Sequence, residues 1–199
     1  MVQTEKLADH VTDALVALVG ALEARDSYSK DQSMRVARFV ERLMNRFKID
    51  PVKRQAIYQA TLLHDIGMVS VPDKILLKQN ALNKEELAVI RAVPQVAARI
   101  LEPIASLADE REMILHQSER WDGSGYPDGL RGAEIPIGSR FIAVAKAVEA
   151  MTHHRAYRRA RPLSFCMEQL RDNAGTQFDP KIAEVAAALL FERDKGDDG

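Results

Sequence analysis

The stretch 59–72, QATLLHDIGMVSVP, reads as the end of a buried helix that presents His64 and Asp65 side by side before Gly67 stops it. An imidazole beside a carboxylate is a common way for a helix to offer two ligands to a divalent metal. A stable site needs four to six donors and a supporting shell, so two ligands are only a beginning. The competing reading is structural: the imidazole sits near the last carbonyls of the helix and the carboxylate caps the next turn.

Upstream, Asp50-Pro51 is an N-cap followed by proline at the first helical position, which opens the helix carrying the pair. Before it, apolar residues at Met34, Val36, Ala37, Phe39, Val40, Leu43, Met44 and Phe47 predict a helix from about 30 to 47. Leu7, Val11, Leu15, Leu18, Val19 and Leu22 recur at helical spacing and predict a first helix over 3–24, read as a signalling stub, a dimerisation helix or the first core helix.

Downstream, Asn83 and Glu86 form a capping signature for a helix to about 92, and Pro94 breaks the chain before a further helical stretch over 95–101. A helix is expected from about 106 to 119. Residues 121–139, WDGSGYPDGLRGAEIPIGS, form the one long glycine- and proline-rich loop, the kind that is usually functional in a compact domain. The apolar run FIAVAKAVEAM marks a central helix over 138–154, and two more helices close the domain at 163–173 and 180–193. No segment alternates with period two. The expected fold is all-α: a single domain over 1–199, a bundle of roughly eight to ten helices, with a solvated tail at 195–199.

Composition bounds the function. Of 199 residues, 46% are hydrophobic and 29% charged, and the formal net charge is -1, so no nucleic-acid polymer is expected as a partner. Phosphate recognition must then be local. The single cysteine, Cys166, fits a reducing, cytoplasmic setting, and no stretch suits a membrane span.

Three segments together carry a resemblance: LLHDIGMVSVPDKILLK at 62–78, ERWDGSGYPDGLRGAEIPIGSR at 119–140 and TQFDPKIAE at 176–184. They resemble the bacterial HD-GYP domain of the HD superfamily of metal-dependent phosphohydrolases, with Gly125, Tyr126 and Pro127 as the GYP element. The resemblance implies a helical fold and hydrolysis of cyclic di-GMP at a two- or three-metal centre, often iron, where metals polarise the phosphodiester and supply a bound hydroxide.

Position by position, the ligand set departs from that pattern. His64 and Asp65 match the signature pair, but Met68 stands where a lysine normally follows. Gln32, Val93, Gln117 and Ser118 occupy positions where the family has histidines, and Lys146 replaces the aspartate of the VAD motif in the central helix. The resemblance therefore assigns no residue here as catalytic. His64 and Asp65 would be the remnant of a centre, with no cofactor expected; the alternative is a binuclear Fe or Mn site rebuilt on His64, Asp65, Glu119 and His116. An ammonium repels a cation, so Lys146 is expected to pair with Asp65 and fill the emptied place.

Two further expectations follow from the resemblance. Arg155 and Arg158, within HHRAYRRAR at 153–161, match positions that hold substrate phosphates, so cyclic di-GMP could still bind. The loop residues Trp121, Asp122, Gly123, Gly125, Tyr126 and Pro127 would form a contact surface for diguanylate-cyclase (GGDEF) or other signalling proteins. The combined expectation is a non-catalytic regulatory, interaction or nucleotide-sensing module, with a rearranged phosphodiesterase as the alternative and homodimerisation open.

Overall fold

The computed structural model describes residues 14, 16–25, 31–78, 80–154 and 159–196. Nine α-helices order these residues, and no strand occurs among them: α1 (Gln32–Met44), α2 (Pro51–Leu63), α3 (Asp73–Leu76), α4 (Lys84–Arg91), α5 (Val93–Leu101), α6 (Ala108–Leu115), α7 (Ile137–Thr152), α8 (Leu163–Asp172) and α9 (Pro180–Gly196). The 3–24 helix expected from sequence falls partly outside the described residues, with helical turns over 16–23; residues 197–199 also fall outside.

Local chemistry accounts for the starts of these helices. Asp50 accepts from the amides of Val52 and Lys53 at the head of α2, and Asn83 exchanges bonds with Glu86 at α4. The break expected near Pro94 falls at Ala92, between α4 and α5, and Pro94 opens the latter. It lies at the start of α5, where a missing N–H costs nothing because first-turn amides have no helical acceptor. The helix expected over 106–119 is shorter: α6 ends at Leu115, preceded by a 3₁₀ turn at Ala105–Leu107.

Helix α7 is central, with Phe141, Ile142, Val144 and Ala145 fully buried. It packs against α1, α8 and α9, while α2 joins α1 to α6. Phe141 meets Phe47 edge to face, with ring centroids 5.2 Å apart. Gly138 leaves room for the Met113 side chain of α6 to pack on α7, since a β-carbon there would lie 2.2 Å from Met113 Sδ.

The opening stretch is held differently from the sequence reading. Helix α2 ends at Leu63, His64 is its C-cap, and the chain continues as a 3₁₀ helix over Ile66–Ser70. Gly67 lies inside that segment rather than terminating α2. A β-carbon there would come within 2.2 Å of the Val93 carbonyl oxygen, so glycine is needed for close packing on α5. Arg25 clamps the same segment by donating to the carbonyls of Met68 and Val71 and pairing with Asp73 at 2.6 Å.

Candidate functional site: a polar hub beside the glycine-rich loop

Helices α1, α2 and α7 converge with the chain just after α6 on the His64–Asp65 pair. His64 is completely buried. Its Nδ1 lies 2.7 Å from the Thr61 carbonyl, an acceptor, so that nitrogen carries a ring proton. Thr61 is held in turn by its hydroxyl donating to Ile57 O. The other ring nitrogen, Nε2, is 3.0 Å from Asp65 Oδ2 but out of line for a hydrogen bond, so it is a buried polar atom without one. The sequence reading missed the contact between His64 and the Thr61 carbonyl, because a backbone carbonyl three residues before the histidine leaves no mark in residue type.

Asp65 is surrounded. Gln32 Nε2 donates to Oδ2 at 3.1 Å, and Lys146 Nζ lies 3.2 Å from Oδ1. Lys146 also donates to Gln117 Oε1 at 2.7 Å, and Gln117 Nε2 donates to the His64 carbonyl at 2.7 Å. The circuit Asp65–Lys146–Gln117–His64 thus closes on the chain that carries the pair. Burial opposes ionisation of Asp65, but the neighbouring His64 and Lys146 outweigh it and hold the carboxyl well below the usual carboxylate range.

Several residues singled out in the sequence stand here and others do not. Gln32, Gln117, Ser118 and Lys146 line one cleft of about 470 Å³, together with Glu119, Arg120 and Tyr126. Val93 does not line it; it is buried in a small cluster with Val71 and Ile75, away from the polar hub. Met68 packs on that same cluster. Arg155 and Arg158 lie outside the described residues. His116 engages both ring nitrogens elsewhere, with Nδ1 at 3.0 Å from Glu112 O and Nε2 at 2.9 Å from Asp128 Oδ2.

The loop over 116–136 is built around Glu119, which the sequence reading considered only as a substitute ligand. Its Oε1 accepts from the amides of Asp128 and Gly129 at 2.7 and 3.0 Å, while its buried Oε2 has no hydrogen bond. The amides of Trp121 and Asp122 donate to the carbonyls of Gln177 and Thr176, fastening the loop to the turn before α9. Arg140 lies over the Trp121 ring and pairs with Asp179 at 2.9 Å. Gly123 and Gly129 take positive φ, 81° and 68°, whereas Gly125 is needed for space: a β-carbon would be 2.3 Å from the Arg120 amide nitrogen. Arg91 of α4 covers the Tyr126 ring at 5.8 Å.

This helical arrangement around an HD pair defines an HD domain, and the comparisons agree. The chain belongs to the HD domain family, whose model matches residues 17–182. Its three long motifs are those of the HD-GYP branch. A cyclic di-GMP phosphodiesterase of Thermotoga maritima is 32% identical over 200 residues, covering 96% of this chain and 54% of that protein. Among solved structures, a cyclic GMP-AMP specific phosphodiesterase of V. cholerae superposes with a TM-score of 0.68 at 16% identity, over 92% of this chain and 49% of that one. An HDG"Y"P protein from Bdellovibrio bacteriovorus gives 0.68 at 18%, over 92% and 63%. These two likenesses establish the fold. The chain spans about half the length of the curated relatives it matches.

The family corrects one expectation. That no cofactor is expected does not stand, because HD-GYP phosphodiesterases are metal-dependent and the relatives carry that activity in their names. The physical reason is the reaction itself: cleaving a phosphodiester near neutral pH calls for a Lewis acid and an activated water. The residues present match such a centre only in part. His64 has a metal ligand's posture, with Nδ1 on a carbonyl and Nε2 unbonded. Yet among the described residues no three His, Cys, Asp or Glu side chains group closely enough to hold an ion. The donor set does not fit a two-metal centre, and no catalytic step is derived through one. Among the described residues, no helix is long and apolar enough to cross a membrane.

Proposed function

We propose that this chain is a regulatory HD-GYP module of bacterial cyclic di-GMP signalling, working in the cytoplasm by binding a cyclic dinucleotide or a partner rather than by hydrolysis. The observation that carries this reading is Lys146. Its ammonium stands between Asp65 Oδ1 and Gln117 Oε1, at a position where the family resemblance calls for a metal-binding carboxylate. A cation fixed there compensates Asp65 electrostatically and opposes a second cation in the same place.

The same ammonium lines the open cleft with Arg120, so it offers a positive charge to a phosphodiester. Arg155 and Arg158 are proposed as further guanidinium contacts to the ligand's phosphates, on the family resemblance alone. The loop residues Trp121, Asp122, Gly123, Gly125, Tyr126 and Pro127 form the proposed surface for a GGDEF-domain or other signalling partner, and the N-terminal helix a route to a homodimer.

Calorimetric titration with cyclic di-GMP tests the binding half of this reading. Wild-type protein should bind, and Lys146→Met should bind about tenfold more weakly, the loss of one charge-assisted contact. Equal affinity in both proteins would remove Lys146 from the ligand site.

A rearranged phosphodiesterase is the second reading, favoured by two buried atoms without hydrogen bonds, His64 Nε2 and Glu119 Oε2. It requires turnover that depends on His64, and that dependence separates it from the first.

A further inference from the structure

A second cleft, of about 170 Å³, lies one helical turn beyond the polar hub, between α1, the end of α7 and α9. Arg35, Arg38 and Arg42 come to it from α1, Arg193 from α9 and His153 from the end of α7. The lone carboxylate in its lining, Glu149, is buried and already bridged by Arg35 at 2.8 Å. That bridge forms the wall between the two clefts, one turn along α1 from Gln32 and one turn along α7 from Lys146.

Four arginines and a histidine thus share a lining that holds one carboxylate, in a chain whose net charge is -1. Arg38 and Arg42 are four residues apart on one helix, a spacing at which like charges repel. Arg42 is exposed, but its guanidinium lies over the Phe39 ring at 6.0 Å and reaches the Leu189 carbonyl at 3.4 Å, contacts that orient it along the cleft. The end of α7 does not oppose an anion strongly. Thr152 Oγ1 donates to Val148 O, and the Glu149 carbonyl is met by the His153 amide and by His153 Nδ1 at 3.2 Å, so last-turn carbonyls are engaged.

We propose that this cleft is a binding site for a phosphate group, separate from the HD cleft. A phosphate presents three oxygens and so can engage several guanidinium forks at once, whereas a carboxylate saturates one. The small concave volume, floored by Phe39, Val148 and Leu190, suits a single phosphate or diphosphate moiety of a small molecule better than a polymer.

Calorimetric titration with inorganic pyrophosphate at fixed ionic strength, with succinate as the dicarboxylate control, tests this. Wild type and the surface control Lys84→Gln should bind pyrophosphate alike. Arg38→Gln/Arg42→Gln and, independently, Arg193→Gln should each bind at least tenfold more weakly while keeping the wild-type thermal midpoint within a few degrees. Three results would overturn the proposal: no binding by the wild type, undiminished binding by both arginine variants, or succinate binding as tightly as pyrophosphate.

Discussion

The HD hub and the glycine-rich loop face the same cleft but are held together by different means. In the hub, side chains from distant segments, Gln32, Asp65, Gln117 and Lys146, satisfy one another across α1, α2 and α7. In the loop, one carboxylate, Glu119, gathers backbone amides, and glycines make room. A hub of exchangeable side chains can change its chemistry without altering the fold. A loop specified by its backbone has fewer substitutes.

Breaking the loop should have the largest effect. Glu119→Ala strands two amides and is expected to lower stability by about 3 kcal/mol in urea denaturation. Glu119→Gln, which keeps an acceptor for them, should lose clearly less. If Ala and Gln behave alike, the amide contacts are not what holds the loop.

In the hub, Lys146→Met leaves the Asp65 carboxylate without its ammonium. Complete removal of one partner from a buried pair costs about 3–5 kcal/mol, and partial solvent access here reduces the expectation to about 2 kcal/mol. Adding Asp65→Asn to Lys146→Met should recover part of that loss. A double variant less stable than Lys146→Met would contradict the pairing.

The smallest expected effect lies outside both regions and serves as their control. Glu110, on α6, is buried and its carboxyl is pushed above the usual carboxylate range, chiefly by that burial. A carboxyl whose folded value is raised contributes most at low pH, and the contribution is lost as pH rises from about 4 through the folded value. The thermal midpoint of Glu110→Gln relative to wild type should therefore be higher at pH 7 than at pH 4. An advantage that grows toward acid would reverse the assignment.

Much of this was legible in the sequence, for identifiable reasons. Periodic apolar residues located the helices, and the caps at Asp50 and Asn83 located two of their starts, because these signals are local. Proximity of Lys146 to Asp65 could be read from charge alone once both were assigned to one pocket. What could not be read depended on tertiary approach. Gly67 looked like a stop but is a packing glycine against Val93, and Gly125, named as part of the loop motif, makes room for the backbone of Glu119 and Arg120. His116, named as a ligand of the alternative centre, is instead the buried C-cap of α6, bound to Asp128 across the loop. The arginine cleft escaped notice because its members come from three helices and only α1 shows a basic stripe.

The central claim is that Lys146 takes the place of a metal-binding carboxylate and leaves a module that binds rather than cuts. Its most direct test is turnover of cyclic di-GMP by the wild-type protein under anaerobic conditions with iron or manganese supplied, alongside elemental analysis of the protein. The expected result is no linear product above the metal-only blank. More than one metal per chain, with product formation that disappears in His64→Ala, would contradict it.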